Sequence, residues 1–268
     1  MIKRSLMVFV LGLALNAPWA LAQSHVDTQV RDAENGLILV WKEVFAWMNG
    51  DPSPRAERAL EIARQQMKAF FAWQGESYFP QNALGPNDGY GDSSYARYFS
   101  YYLRGLKEPI LYNGHMAKDE VSIRLTILPA FGGPLVFRAH SNGPDNTLTF
   151  KLSDSGGFGP VKDVQVREIT LDHRAFMRIL DRAFETPACE GAHDERMGFD
   201  GSSWAVEVKT ADRYCADSVW APDAGPWQDL AQVVFQYIEV DDEVLFAKWM
   251  IGMPLSENEE RRINEQLR

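Results

Sequence analysis

The residues with the most chemical potential form one block in the last third of the chain, where acids, a tryptophan and a tyrosine stand at strand spacing. Asp200 and Gly201 predict a turn into a strand on which Trp204 and Glu207 face opposite ways. Tyr214 begins the strand that pairs with it. On an exposed sheet face, Glu207 and Tyr214 would meet a ligand, so the predicted ligand-binding set is Asp200, Trp204, Glu207 and Tyr214. The alternative is that Trp204 fills the core beneath the last helix and Asp200 caps the turn.

A glycine-rich turn offers the chemistry of a serine nucleophile. Residues 153–157, Ser-Asp-Ser-Gly-Gly, are similar to the nucleophile segment of trypsin-like proteases. A serine in that role needs a histidine base, an orienting aspartate and N–H donors for the oxyanion. The upstream histidines, His25, His115 and His140, lack the sequence context of those enzymes. A turn between two strands explains the segment better, and no catalytic residue is predicted.

Metal and cofactor sites leave recognisable spacings, and this chain does not carry them. Its five histidines never stand at His-Glu-x-x-His or His-x-His spacing. Residues 192–195, Ala-His-Asp-Glu, gather potential ligands, but neighbouring positions on one loop do not converge easily on an ion. The glycine patterns of phosphate and dinucleotide binding are also missing. The prediction is therefore no metal and no cofactor.

The two cysteines of the chain are Cys189 and Cys215. An isolated pair in an oxidising compartment most often forms one structural disulfide. Closing a loop of that length is worth on the order of 3 kcal/mol in the loop-entropy model. The alternative is a catalytic thiol at Cys189 with His193 as its base. The disulfide is the prediction.

Residues 1–22 have the pattern of a cleavable secretory signal peptide: a basic start, a short apolar run and a small-x-small exit ending at Ala22. The apolar run is shorter than the ~20 residues that a membrane span needs. Because Lys3 and Arg4 leave with it, the formal charge falls from −10 to −12. The expected location is the periplasm or the exterior, without nucleic acid as a partner and without stable membrane insertion.

Hydrophobic spacing changes near residue 115 from a helical period to a strand period. Helices are predicted over residues 30–48, 52–71, 95–103, 170–184 and 226–240, with a tail helix that restarts at Ser256. Strands are predicted over residues 121–127, 135–140, 147–152, 164–169, 204–208 and 214–220. Hairpin-length links between the strands indicate an antiparallel sheet.

The predicted fold class is α+β, with a helical N-terminal section packed against a sheet of about six antiparallel strands that carries two helices. The predicted divisions are the signal peptide at 1–22, the helical section at 23–115, the α+β domain at 116–252 and a helical tail at 253–268. Thr170 is the expected N-cap of the helix after the fourth strand. Ser256 and Glu259 stand at capping-box spacing.

Residues 120–240 resemble a group of small exported bacterial proteins. The shared features are a Pro-Leu-Val-Phe-Arg strand at residues 134–138, a Gly-Gly-Phe/Tyr-Gly turn at 156–159 and the Asp-Gly-x-x-Trp-x-x-Glu block with its tyrosine and proline at 200–222. The resemblance implies that these motifs determine the fold, and it brings no activity with it. The cysteine pair and the helical section lie outside the shared pattern.

Three classes of function remain after these exclusions. The expected one is a non-catalytic binding protein of the cell envelope, of the inhibitor or immunity type, with a protein as its partner. The second is a structural envelope component without a ligand. The third is a hydrolase whose site assembles only in three dimensions, with Asp200, Glu207 or His173 as acid or base.

Overall fold

The computed structural model describes residues 72–84, 94–129, 133–153, 161–190, 201–222 and 224–266. The predicted signal peptide, the helices at 30–48 and 52–71, the turn at 156–159, His193 and Asp200 lie outside these ranges. In chain order, the elements are α1 (Ser94–Gly105), β1 (Glu120–Pro129), β2 (Leu135–Asn142), β3 (Asn146–Leu152), β4 (Gln165–Leu171), α2 (His173–Glu185), a 3₁₀ turn (Pro187–Cys189), β5 (Ser202–Thr210), β6 (Tyr214–Trp220), α3 (Pro226–Phe235), α4 (Asp242–Met250) and α5 (Glu257–Gln266).

The six strands form one antiparallel sheet in the order β4-β3-β2-β1-β5-β6, which confirms the predicted α+β class. Hairpins join β1 to β2, β2 to β3, β3 to β4 and β5 to β6. The long-range pairing is β1 with β5, in which Arg124 stands opposite Glu207. Strand β1 is buried from Ser122 to Pro129, because helices cover both faces of the sheet. The described helices include none that is long and apolar enough to cross a bilayer.

The first face of the sheet carries the larger hydrophobic core, packed under α2, α3 and α4. Alternate strand residues such as Ile123, Leu125 and Trp204 point into it. The ring of Phe137 contacts the rings of Phe150 and Phe235 at centroid distances of 5.0 and 4.8 Å. Burial of these large side chains is the main stabilising contribution to the fold.

The second face carries a smaller core beneath α1 and the segment at residues 78–84. Phe99 and Leu103 of α1 are fully buried against it. The end of helix α1 also lies close to the segment that precedes β4, since a Cβ on Gly105 would lie 2.4 Å from Val161 Cγ2. The polar strand positions lie on this second face, so it determines where any site can be.

Two predicted helix boundaries are wrong. Helix α2 begins with Asp172 as its N-cap, which accepts the Ala175 N–H at 2.7 Å, and Thr170 continues β4 instead. The helix predicted over 226–240 ends at Phe235 as α3, and a further helix that the sequence pattern did not predict, α4, begins at Asp242. The connection between them buries Ile238, so the apolar pattern runs on although the helix has ended. Asp241 then starts α4 by accepting the Val244 N–H.

The tail helix α5 starts with the predicted capping box. The Ser256 N–H donates to Glu259 Oε2 at 2.8 Å, and the Glu259 N–H donates to Ser256 Oγ at 3.4 Å. Lys248 of α4 contacts Glu259 Oε1 at 2.6 Å, and Ile263 is buried. The tail helix therefore packs on the body of the domain.

Replacing Lys107 by glycine should stabilise the protein by about 0.5–1 kcal/mol. Lys107 follows α1 with φ +54°, in a turn where its N–H bonds the Arg104 carbonyl and the Glu108 N–H bonds the Leu103 carbonyl. Glycine adopts this left-handed conformation without the cost that a side chain brings. The measurement is the free energy of unfolding in urea. Lys118→Gly, at another exposed lysine of the same connection, is the matched control and should not stabilise.

Candidate functional site

A row of charged and polar side chains crosses the second face of the sheet. In register, it runs from Thr149 on β3 through Arg138 on β2 and Arg124 on β1 to Glu207 on β5. Antiparallel pairing places the Cβ atoms of such neighbours ~4.5–5.5 Å apart. Arg124 and Glu207 are both completely buried, which makes this row the most unusual environment in the described part of the chain.

Arg124 and Glu207 form a buried ion pair that Tyr214 completes. Glu207 Oε2 lies 2.5 Å from both Nε and Nη2 of Arg124, and the aligned hydrogen bond is the one from Nε. The hydroxyl of Tyr214 donates to the other oxygen, Oε1, at 2.9 Å. Both oxygens of the carboxylate are therefore occupied by protein groups.

A second carboxylate, Glu108, contacts three cations of this face, Arg124, Arg138 and Lys151. Its Oε2 accepts a hydrogen bond from Arg138 Nε at 3.0 Å and lies 3.7 Å from Arg124 Nη1. Its Oε1 lies 2.7 Å from Lys151 Nζ, although that contact is not aligned as a hydrogen bond. The ammonium donates to the carbonyls of Leu106 and Lys107 instead, at 2.8 and 3.2 Å.

The same groups hold the connection between α1 and β1 on the sheet. Arg124 Nη1 donates to the Pro109 carbonyl at 2.6 Å, and the Tyr78 hydroxyl donates to the Glu108 carbonyl at 3.0 Å. The guanidinium carbon of Arg124 also lies 5.8 Å from the centroid of the Tyr78 ring. Residues 106–109, Tyr78 and Arg124 thus form one cross-linked unit. We use the name charge cluster for this unit together with Arg138, Lys151, Glu207 and Tyr214.

The protonation of the cluster follows from burial set against ion pairing. Burial raises the pKa of Glu207. The Arg124 guanidinium and the Tyr214 hydroxyl act in the opposite direction because they favour its carboxylate form, but the net direction is upward. Burial lowers the pKa of Arg124, but the neighbouring Glu207 and Glu108 outweigh it, so the net direction is upward. Burial, followed by the Glu207 charge, raises the pKa of Tyr214. Because Arg124 Nε donates to Glu207 Oε2 and the Tyr214 hydroxyl donates to Oε1, we assign a charged Arg124 paired with a Glu207 carboxylate and a neutral Tyr214.

The structure separates the predicted ligand-binding residues. Trp204 lies in the first core with no exposed surface, where its Nε1 donates to Ser202 Oγ at 2.5 Å, which is the position that the alternative interpretation gives it. Glu207 does face the side of the sheet opposite to that of Trp204. The expectation that this face is exposed is wrong, because α1 and residues 106–112 cover it. Tyr214 is half-buried beside Glu207, and Asp200 lies outside the described residues.

Sequence reasoning missed the cations of the charge cluster, of which Arg124 pairs with Glu207 whereas Arg138 and Lys151 contact Glu108. Arg124, Arg138 and Lys151 stand at alternate positions of predicted strands, and that pattern is the same for a solvated face as for a covered one. Of the other chemical candidates, His173 is exposed at the first position of α2. Ser153 is buried, and its hydroxyl donates to the Lys162 carbonyl at 2.6 Å, which links the residue after β3 to the segment that precedes β4.

The predicted disulfide between Cys189 and Cys215 is confirmed. It joins the 3₁₀ turn after α2 to the edge strand β6, and Arg213 donates to the Cys189 carbonyl at 3.2 Å. Within the described ranges, no three metal-ligating side chains gather at one point.

Replacing both cysteines by serine should lower the free energy of unfolding by about 3 kcal/mol, because the loop of 26 residues is no longer closed in the unfolded chain. Urea unfolding of the oxidised protein and of C189S/C215S measures the difference. Adding reductant should shift the wild type to the stability of the variant and leave the variant unchanged. A wild type that does not respond to full reduction would contradict a stabilising bridge.

Gly201 belongs to the predicted Asp-Gly turn and lies within the described residues, directly before β5. Its φ of +131° lies outside the range of ordinary side chains, and a Cβ there would lie 3.0 Å from the Cβ of Ala221. Ala221 in turn donates its N–H to the Ser202 carbonyl at 2.8 Å. From Gly201 onward, the block thus supplies a glycine with positive φ, a core tryptophan and one member of a buried ion pair. Comparison with protein families, with curated proteins and with solved structures finds no match to this chain.

Proposed function

We propose that this chain is an exported, non-catalytic binding protein of the cell envelope, of the inhibitor or immunity type, whose partner is a protein. Its export is supported by the signal pattern at residues 1–22 and by the disulfide, a bond that persists in oxidising compartments. The mature chain then begins near Gln23 and has a formal charge of −12.

The observation that carries the proposal is that both carboxylate oxygens of Glu207 already accept hydrogen bonds from protein groups. A general acid or base must reach the proton that it transfers. Glu207 has no exposed surface, and Arg124 and Tyr214 occupy its two oxygens. One of the three acid–base candidates of the sequence is thereby engaged inside the fold, which supports a binding protein over a hydrolase that uses Glu207.

Helix α4 supplies the surface that we assign to the partner. Trp249 is 42% exposed, and its ring lies 5.5 Å from that of Phe246. Tryptophan is among the commonest anchors of protein interfaces, because it buries a large area with few rotatable bonds. Protein partners are therefore expected to bury Trp249.

The export proposal is tested by the mass of the protein recovered from its native compartment. Cleavage after Ala22 gives a chain that begins at Gln23 and is lighter by two hydrogens when the two cysteines are joined. A chain that keeps residues 1–22, or a cytoplasmic pool of the mature length, would contradict export.

The partner proposal is tested by cross-linking in intact cells of the source organism with the tagged full chain. The wild type should give one discrete adduct of reproducible mass, and Trp249→Ala should lose it. Phe184→Ala is the matched control, because Phe184 is also a large exposed apolar residue, and it should keep the adduct. No adduct in the wild type, or equal adducts in all three, would overturn the proposal.

The hydrolase alternative has its own readout. Purified wild type and Glu207→Gln are compared on chromogenic esters, glycosides and peptides, with circular dichroism as the check that both are folded. The binding-protein proposal expects no turnover by either. Turnover by the wild type that a folded Glu207→Gln loses would replace the proposal with a hydrolase.

A further inference from the structure

Strand β4 forms an open edge of the sheet. It pairs with β3 along its whole length, Gln165–Leu171, and lies at the end of the strand order. In an antiparallel strand, every second residue directs its N–H and C=O groups away from the neighbouring strand. Apart from the ladder with β3, the backbone groups of β4 have no hydrogen-bond partner among the described residues. The outer side of β4 therefore presents a row of unpaired donors and acceptors.

Side chains on the second face of β4 are exposed as well. Val166 is 57% exposed, the largest value among the described large apolar residues, and Glu168 and Thr170 are also exposed. Strand β6 at the other edge differs, because its residues 215–219 are buried and the disulfide joins it to the 3₁₀ turn. The cover of the second face therefore ends before β4, whereas β6 is enclosed.

Strand β4 lacks the devices that protect most open edges, which are lysine, proline, a bulge or a very short strand. It has seven residues, Gln-Val-Arg-Glu-Ile-Thr-Leu, and its register with β3 is continuous. Val166, Ile169 and Thr170 are β-branched, which favours extended backbone. An edge of this kind is a template for strand addition, in which an extended segment of another chain joins the sheet.

The start of α4 lies beside this edge. Arg167 pairs with Asp241, the N-cap of α4, and Gln165 donates to Glu243 in the first turn. Trp249 follows about 10 Å further along the same helix, at 1.5 Å per residue. An interface of ordinary size, ~800 Å² on each partner, spans this distance. A protein that pairs with β4 can therefore also bury Trp249, which is the surface assigned to the partner above.

Charge favours a basic segment of a different protein over a second copy of this chain. Opposite charges on directly opposed strand positions stabilise a pair, and like charges destabilise it. Glu168 is exposed, whereas Arg167 is engaged by Asp241. Two copies paired about a two-fold axis through the middle of β4 would place Glu168 opposite its own counterpart. The mature charge of −12 also repels a second copy and attracts a basic partner.

We propose that the partner protein adds an extended segment to β4 as a seventh strand, with a lysine or arginine opposite Glu168 and an apolar β-branched residue opposite Val166. Main-chain hydrogen bonds to the outer side of β4 supply the affinity, and the side chains at alternate positions supply the specificity. This pairing rests on the proposed partner function and names the segment by which the partner binds.

Pairing is tested with the synthetic peptide Thr-Thr-Val-Lys-Thr-Val-Thr with blocked ends. Antiparallel pairing sets its lysine against Glu168 and its second valine against Val166. The peptide is titrated into the oxidised mature protein while NMR follows the backbone amides. Saturable shifts at Gln165–Leu171 and a dissociation constant below about 1 mM are expected. Weaker binding, or shifts centred on other elements, would overturn the proposal.

Backbone methylation shows whether the peptide binds as a strand. One version is N-methylated at its second, fourth and sixth residues, and another at its third and fifth. A paired strand uses only one set of alternate amides, so one version should bind at least tenfold more weakly and the other like the parent peptide. Equal binding by the two versions would mean contact through side chains alone and would contradict strand addition.

A charge exchange locates the pairing on β4. The peptide with glutamate in place of its lysine should bind the wild type about threefold or more weakly. Glu168→Lys should reverse the order of the two peptides. Asp212→Lys makes the same change of charge at an exposed position of the hairpin between β5 and β6, and should keep the order of the wild type. An unchanged order in Glu168→Lys would refute the assigned edge.

Two further outcomes separate the possible occupants. A wild type that dimerises in sedimentation without peptide, with protection of the β4 amides, would assign the edge to a second copy and overturn the proposal. Pairing of the peptide with no cross-linked adduct in cells would refute the partner function and leave the edge. An adduct that depends on Trp249, with no pairing of the peptide, would refute the edge alone.

Discussion

Replacing Arg124 by methionine should lower the free energy of unfolding by about 3–5 kcal/mol, because it strands a buried carboxylate. Glu207 would keep only the hydroxyl of Tyr214 as a donor in a site without exposed surface. The Pro109 carbonyl would also lose its hydrogen bond from Nη1. Urea unfolding monitored by circular dichroism gives the number, with the oxidised wild type as reference.

The double variant R124M/E207L isolates the pair. Removing both charges leaves an apolar contact of similar volume, and such replacements cost far less than breaking one side of a buried pair. The double variant should therefore be more stable than R124M alone. In the double-mutant cycle formed with R124M and E207L, the coupling energy should be about 2 kcal/mol or more. Additive single effects, or a loss below about 1 kcal/mol for R124M, would mean that water reaches the cluster and solvates Glu207.

Arg182→Met is the matched surface control. Arg182 pairs with Glu185 within α2, and both side chains are more than 40% exposed. Exposed pairs contribute about 0–1 kcal/mol because water solvates each charge on its own. The contrast between the two arginine variants separates the effect of burial from the effect of removing an arginine.

The sheet was predictable because its signals are local. The alternation over residues 121–127 places apolar side chains on one face, and the structure has a strand at Glu120–Pro129. The capping box at Ser256 also needs only four residues to be recognised. Each of these features depends on neighbours along the chain, which is the information that a pattern contains.

The charge cluster was not predictable because its partners are distant. Alternation correctly placed Glu207 on the face opposite Trp204, but nothing near Glu207 shows that Arg124 lies opposite it or that α1 covers it. A polar strand face has the same sequence whether water or another element lies on it. The predicted end of the helix over 226–240 was wrong for a related reason, since Ile238 continues the apolar pattern although it lies in the connection after α3.

Replacing Trp204 by alanine should lower the free energy of unfolding by about 3–5 kcal/mol, which is the usual cost of truncating a fully buried aromatic residue. Its ring has no exposed surface, and Ser202 Oγ would lose the Nε1 donor. Trp249→Ala makes the same chemical change at a side chain that is 42% exposed, and should cost less than about 1 kcal/mol.

The pair of tryptophan variants decides between the two interpretations of the block at 200–214. A ligand-binding Trp204 on an accessible surface would leave stability nearly unchanged when truncated, whereas a core residue leaves a cavity that its neighbours fill only in part. Trp204→Phe should recover about half of the loss, because it restores ring volume but not the hydrogen bond to Ser202. Equal stabilities for Trp204→Ala and Trp249→Ala would contradict the core role, and the block would again be a candidate recognition surface.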